Sequence, residues 1–89
     1  MAEDEVLERL LKIVAFVAGA HRLPADLGAH TPISEGGLEL DSATVLELIV
    51  SCEAEFSVTL DPDTDFTEAA LSTVGSLTES VRRAVAARG

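Results

Sequence analysis

Apolar residues recur at three- and four-residue steps along most of this chain, and that spacing constrains the fold more than any other feature. Val6, Leu10, Ile13, Val14 and Val17 form one set, Val45, Leu48, Ile49, Cys52 and Phe56 a second, and Val74, Leu77, Val81 and Val85 a third. Each set falls on one face at the helical period, and no pair of segments alternates as strands do. The first helix is expected from about Glu3 to about Ala20, with acidic residues in its first turn, where the helix dipole favours them. Pro24, Gly28, Pro32, Gly36 and Gly37 then punctuate a loop of nearly twenty residues, long enough to need a function or a core to wrap. Leu23, Leu27, Ile33, Leu38 and Leu40 predict that it wraps. Asp41 is a good N-cap for the second helix, which is expected to end near Phe56 or Ser57. Asp61-Pro62 marks a break, and a short helical turn is expected around Asp65 to Leu71. Ser72 or Thr73 then caps the last helix, with Arg82, Arg83 and Arg88 toward its C-terminal end. The predicted architecture is all-α: a small four-helix bundle with a long loop between helices 1 and 2 and a short third helix, in one domain over residues 1–89.

At 89 residues there is room for one core and no deep enclosed active site. The chain has three Phe, no Trp and no Tyr, so the core must be aliphatic. A formal charge of −10 argues against nucleic-acid and anionic membrane surfaces and for partners presenting Lys and Arg; an acidic surface kept for solubility accounts for it equally well. Cys52 is the single cysteine, so no internal disulfide forms, and a reducing cytoplasm is the expected compartment. The apolar run Ile13 to Ala20 resembles a signal-peptide core, but Glu3, Asp4, Glu5 and Glu8 precede it where a secretory segment is positive. It is also too short to span a bilayer and reads as a core-facing helix.

Ser42 opens the second helix. Taking it as zero, Leu48, Cys52, Val45, Phe56 and Ile49 fall between roughly 240° and 340°, a stripe as wide as a core-facing helix needs. A second arc, from about 20° to 140°, holds Glu53, Leu46, Val50, Ala43, Ala54 and Glu47. The core has no need of Leu46 and Val50, so an apolar strip rimmed by acids predicts a docking surface, with apolar contact for affinity and charge for steering. The alternative packs both residues beneath the preceding loop. A serine in the first helical turn lies near unpaired backbone N–H groups, where a phosphodiester would be favoured.

These residues resemble the acyl carrier protein family. The likeness rests on Leu40-Asp41-Ser42 at the start of the second helix, on Glu47-Leu48, on Glu53-Ala54-Glu55-Phe56, on the Asp/Pro loop, and on Ser72-Thr73-Val74-Gly75 leading into the last helix. It spans about Val6 to Val85 and includes the helix order and the long first loop. The resemblance implies a carrier that performs no catalysis. It implies a Ser42 hydroxyl that receives 4′-phosphopantetheine from coenzyme A through a phosphopantetheinyl transferase, and a thiol arm that holds acyl groups as thioesters. It gives Asp41 a part in presenting Ser42. On the wheel, Ala43, Leu46, Glu47, Val50 and Glu53 then form the recognition arc for acyl-loading and acyl-processing enzymes with basic docking patches. Leu46 and Val50 supply apolar contact, and Glu47, Glu53 and Glu55 attract basic surfaces, although Glu55 lies at about 220°, off the arc. The expected carrier is a monomer that meets no nucleic acid and no membrane.

The sequence departs from the family at Ala43, where a bulky Leu or Met is common, and at Glu39, where Gly is frequent three residues before the serine. Ala54 also interrupts the acidic run. These departures point to polyketide or other specialised biosynthesis, with an aminoacyl or peptidyl carrier as the variant reading. From a different class, an acidic helical interaction or inhibitor protein without a covalent group would make surface charge the whole mechanism. Asp61, Asp63 and Asp65 have the spacing that begins a calcium loop, but Phe66 and Ser72 stand where that loop requires Gly and Glu, so no metal is expected. His21 and His30 lack zinc spacing and read as loop residues, and Cys52 falls in the core stripe.

Overall fold

The computed structural model describes residues 3–19, 23–34 and 36–88. Its elements are α1 (Glu3–Ala18), α2 (Ser42–Phe56), α3 (Pro62–Asp65) and α4 (Val74–Arg88). No strand occurs among the described residues.

α1 packs against both α2 and α4. Val6, Leu10, Val14 and Ala18 are its buried positions, a step of four that keeps one face inward. Ile13 and Val17 flank that face, partly buried. The helix stops two residues short of the expected end: Gly19 takes φ +88°, and its N–H donates to Ala15 O at 3.1 Å. Ala20 lies outside the described residues. One expectation fails inside the run read as core-facing. Phe16 is 86% exposed, because it follows Val14 by two residues and so points about 200° away from it.

α2 buries Leu48, Ile49, Cys52 and Phe56, with Val45 partly covered. It ends at Phe56 because Ser57 turns into the left-handed region at φ +54°, where its N–H and that of Val58 both reach Glu53 O. α4 buries Val74, Leu77 and Val81 on the same core. Thr73 caps it: Thr73 Oγ1 accepts from the Ser76 N–H at 3.1 Å, and Ser76 Oγ accepts from the Thr73 N–H at 3.0 Å. That is a reciprocal cap with serine in the place of the usual Glu.

The all-α expectation holds among the described residues, with three long helices and a short third one of a single turn, whose position differs from the expected one. The short helix sits at Pro62–Asp65, ahead of the predicted stretch, and the chain over 66–71 only bends and turns. Asp61 and Pro62 start this helix as N-cap and first helical residue, the same chemistry that marks a break in sequence. Asp61 Oδ1 accepts from the Asp63 N–H at 2.9 Å, and Asp65 Oδ2 from the Asp61 N–H at 2.8 Å. Asp65 is buried and also meets Arg83 of α4 at 3.4 Å.

The long loop wraps the core through Ile33, Leu38 and Leu40, all buried. A seam ties it to the start of α4: the Ile33 N–H donates to Ser72 O at 3.0 Å, the Val74 N–H to Thr31 O at 2.9 Å and the Gly75 N–H to Ala29 O at 2.7 Å. Gly75 is required there, since a Cβ would stand 2.8 Å from Ala29 O. The shortest dimension of the fold is 19 Å, about two helix diameters, which leaves no room for an enclosed chamber.

Candidate functional site

The last part of the long loop sets the start of α2. The Leu38 N–H donates to Pro32 O at 2.9 Å, the Glu39 N–H to Ser34 O at 2.9 Å and the Leu40 N–H to Ile33 O at 3.1 Å, closing a tight turn. Gly37 faces the Pro32 backbone so closely that no Cβ fits. Glu39 adopts φ +53°, left-handed backbone that costs an L-residue roughly 1–2 kcal/mol. With Leu38 and Leu40 anchored in the core, the chain emerges at Asp41 in extended backbone, φ −82° and ψ 173°. Asp41 Oδ1 accepts from the Thr44 N–H at 2.8 Å and Asp41 O from the Val45 N–H at 2.9 Å, so it caps α2 as its position predicts.

Ser42 is therefore the first residue of α2, exposed, with its hydroxyl in no hydrogen bond among the described residues. Its N–H and that of Ala43 belong to the open end of the helix, which has no internal acceptor for them. Next to Ser42 runs an open groove of about 940 Å³ between α2 and the 66–72 segment. Ile33, Leu40, Val45, Ile49, Phe66 and Leu71 give it apolar walls, and Ser34, Glu68 and Ser72 add polar groups. Phe66, Glu68 and Leu71 carry no local motif, and only the tertiary fold brings them to Ser42.

The predicted docking arc divides in two. Ala43, Glu47 and Ala54 are exposed, as are Leu46 at 54% and Val50 at 61%, so the reading that packs Leu46 and Val50 beneath the loop is overturned. Glu53 differs: half-buried, its Oε2 accepts the Leu60 N–H at 2.8 Å, which holds the turn after α2. Its position on the helix places it in the arc, while its bond places it in the framework. Glu55 is likewise engaged, meeting Arg9 of α1 at 2.6 Å. A second groove, about 680 Å³, lies on the α1 side of α2, lined by Lys12, Ile13 and Phe16 together with Ser51 and Ala54.

The remaining reactive groups lie elsewhere. Cys52 is buried, and burial, with the charges of Glu53 and Glu55 adding to it, pushes its thiol up to about 12, so it stays protonated at neutral pH. His30 pairs with Asp26 at 3.3 Å in solvent, and His21 lies outside the described residues. Asp61 and Asp65, candidates for a calcium loop by spacing alone, are committed to the α3 cap. No group of metal-ligating side chains is assembled among the described residues, nor is any helix among them long and apolar enough to cross a membrane.

A protruding, unbonded serine at a capped helix start, with an apolar groove beside it, suits a covalently attached flexible arm. A family model described as a phosphopantetheine attachment site matches residues 8–81, most of the chain, and the protein belongs to that family. Its members are carrier proteins that hold 4′-phosphopantetheine covalently and meet phosphopantetheinyl transferases and acyl-processing enzymes. No curated protein and no solved structure matches the chain. The site fits the group: Ser42 offers a free hydroxyl for a phosphodiester, and the open helix end offers backbone donors beside it.

Proposed function

We propose that this chain is an acyl carrier protein whose Ser42 hydroxyl is the attachment point. In the priming step Ser42 Oγ bonds to the phosphorus that joins pantetheine to coenzyme A. The bond to the departing adenosine 3′,5′-bisphosphate breaks, and the hydroxyl proton passes to a base on the transferase. The observation that carries this reading is the exposed, unbonded hydroxyl at the first position of a capped helix. Asp41 fixes that position. Once attached, the arm supplies a terminal thiol that holds acyl groups as thioesters. The chain contributes binding and presentation and leaves catalysis to its partners. Ala43, Leu46, Glu47 and Val50 form the docking strip for basic enzyme surfaces, with Glu53 contributing at its edge.

The departures at Glu39, Ala43 and Ala54 support a dedicated carrier of polyketide or related specialised biosynthesis, and the single Cys52 supports a cytoplasmic location. A net charge of −10 favours a monomer that meets its enzymes transiently. The test is incubation with coenzyme A and a broad-specificity phosphopantetheinyl transferase, followed by intact mass. The wild type should gain one phosphopantetheine and Ser42→Ala none, with the same thermal midpoint for both. An unchanged wild-type mass, or an increment that survives in Ser42→Ala, refutes the assignment.

A further inference from the structure

Glu39 is the residue in the loop whose backbone and side chain disagree. The turn that delivers Ser42 places glycine at Gly36, where φ is +88°, and at Gly37, where no Cβ fits. At Glu39 the backbone is again left-handed, a conformation glycine adopts freely, yet the chain carries a glutamate. The side chain is exposed, and it makes no hydrogen bond or ion pair among the described residues. It stands three residues ahead of Ser42, within a chain reach of about 10 Å. A phosphodiester on Ser42 would add a further negative charge within that distance. In the unmodified protein Glu39 is thus unfavourable through its backbone conformation, and loading of Ser42 would add like-charge proximity.

We propose that Glu39 is a recognition residue for a cationic surface on the phosphopantetheinyl transferase, placed on the loop side of Ser42 opposite Glu47 on the helix side. This inference rests on the carrier reading. Two exposed carboxylates from different elements, Glu39 in the turn three residues before Ser42 and Glu47 in α2 five residues after it, bracket the serine in sequence, and neither makes a hydrogen bond or ion pair among the described residues. A basic patch that spans both would orient Ser42 as it docks, and its cations would offset the repulsion that builds as the phosphodiester forms. Glu39 acts through docking and takes no part in the chemical step, so its effect belongs in KM and in the salt dependence.

The experiment measures kcat/KM for loading by a broad-specificity transferase with coenzyme A at low and high salt, for the wild type and for Glu39→Gln, Glu39→Asp and Glu39→Gly. Glu39→Gln should lose about three- to tenfold at low salt, mostly in KM, with the difference closing at high salt as screening sets in. Its thermal midpoint should match the wild type. Glu39→Asp should recover most of the rate. Glu39→Gly should lose the same rate while its thermal midpoint rises by a few degrees. Equal kcat/KM for Glu39→Gln and wild type at low salt overturns the inference, as does a deficit that salt leaves unchanged. A wild type that takes no phosphopantetheine at all refutes the carrier reading instead, so the two failures are distinct.

Discussion

At the first turns of α2, Ser42, Ala43, Leu46 and Glu47 stand in solvent, whereas at its last turn Glu53, Glu55 and Phe56 are each tied to another part of the chain. Glu53 holds the Leu60 amide. Glu55 holds Arg9, whose guanidinium also lies 4.8 Å over the Phe56 ring, and Arg88 donates to Phe56 O. The residue types at the two ends overlap, an acid beside an apolar side chain in both, yet one end anchors and the other presents. Anchoring a helix at its far end lets its start remain uncovered without fraying, because the Asp41 cap and the buried Leu48 and Ile49 are enough to hold the first turns.

That contrast can be broken most directly at Phe56. Phe56→Ala removes the largest buried side chain and is expected to cost about 3–5 kcal/mol, read as a large drop in the urea midpoint. A loss no greater than that of a surface substitution would mean that α2 is not anchored there. The two glutamates sharpen the comparison. Glu53→Ala leaves the buried Leu60 amide without its acceptor and is expected to cost about 1–2 kcal/mol. Glu47→Ala should stay within about 0.5 kcal/mol of the wild type and slow only the partner reactions. Equal stability losses would erase the distinction between framework and docking acids.

Asp41→Ala removes the cap and should cost about 1 kcal/mol while also slowing Ser42 loading; a slowed reaction at unchanged stability would assign Asp41 to the transferase alone. The effect that vanishes at neutral pH and emerges only in alkali concerns Cys52. Its thiol titrates higher in the folded chain, at about 12, than its ordinary value of 9.0, so the folded form retains a proton that the unfolded form releases. That contribution is intact below about pH 9 and is lost as pH rises toward 12. Denaturation midpoints between these limits should fall less steeply in Cys52→Ala than in the wild type.

The buried stripe of α2 was legible in sequence because helical period is a local property, and Leu48, Ile49, Cys52 and Phe56 all fall where the wheel places them. The Asp41 cap was legible for the same reason. Other features were not. Phe16 sits in an apolar run whose hydrophobicity hides its outward angle. The short helix came earlier than expected because an Asp-Pro pair serves equally as a stop and as a start. Glu53 acquires its role from an amide seven residues onward, a partner that no helical wheel contains. The groove beside Ser42 is the clearest case: Ile33 of the long loop, Ile49 of α2, and Phe66 and Leu71 of the 66–72 segment meet only in the folded chain. Glu39 was visible as a departure from the family, but its left-handed backbone was not.

The seam between the long loop and α4 has a dynamic consequence. Among the described residues, the amide hydrogens of Ile33, Val74 and Gly75 are each satisfied by the opposite side of that seam. They can exchange with solvent only when the two sides part, so the three should report one common opening free energy as a single cooperative unit. The turn that delivers Ser42 continues directly from Ile33, which makes the platform for the serine and the first turn of the last helix one opening event.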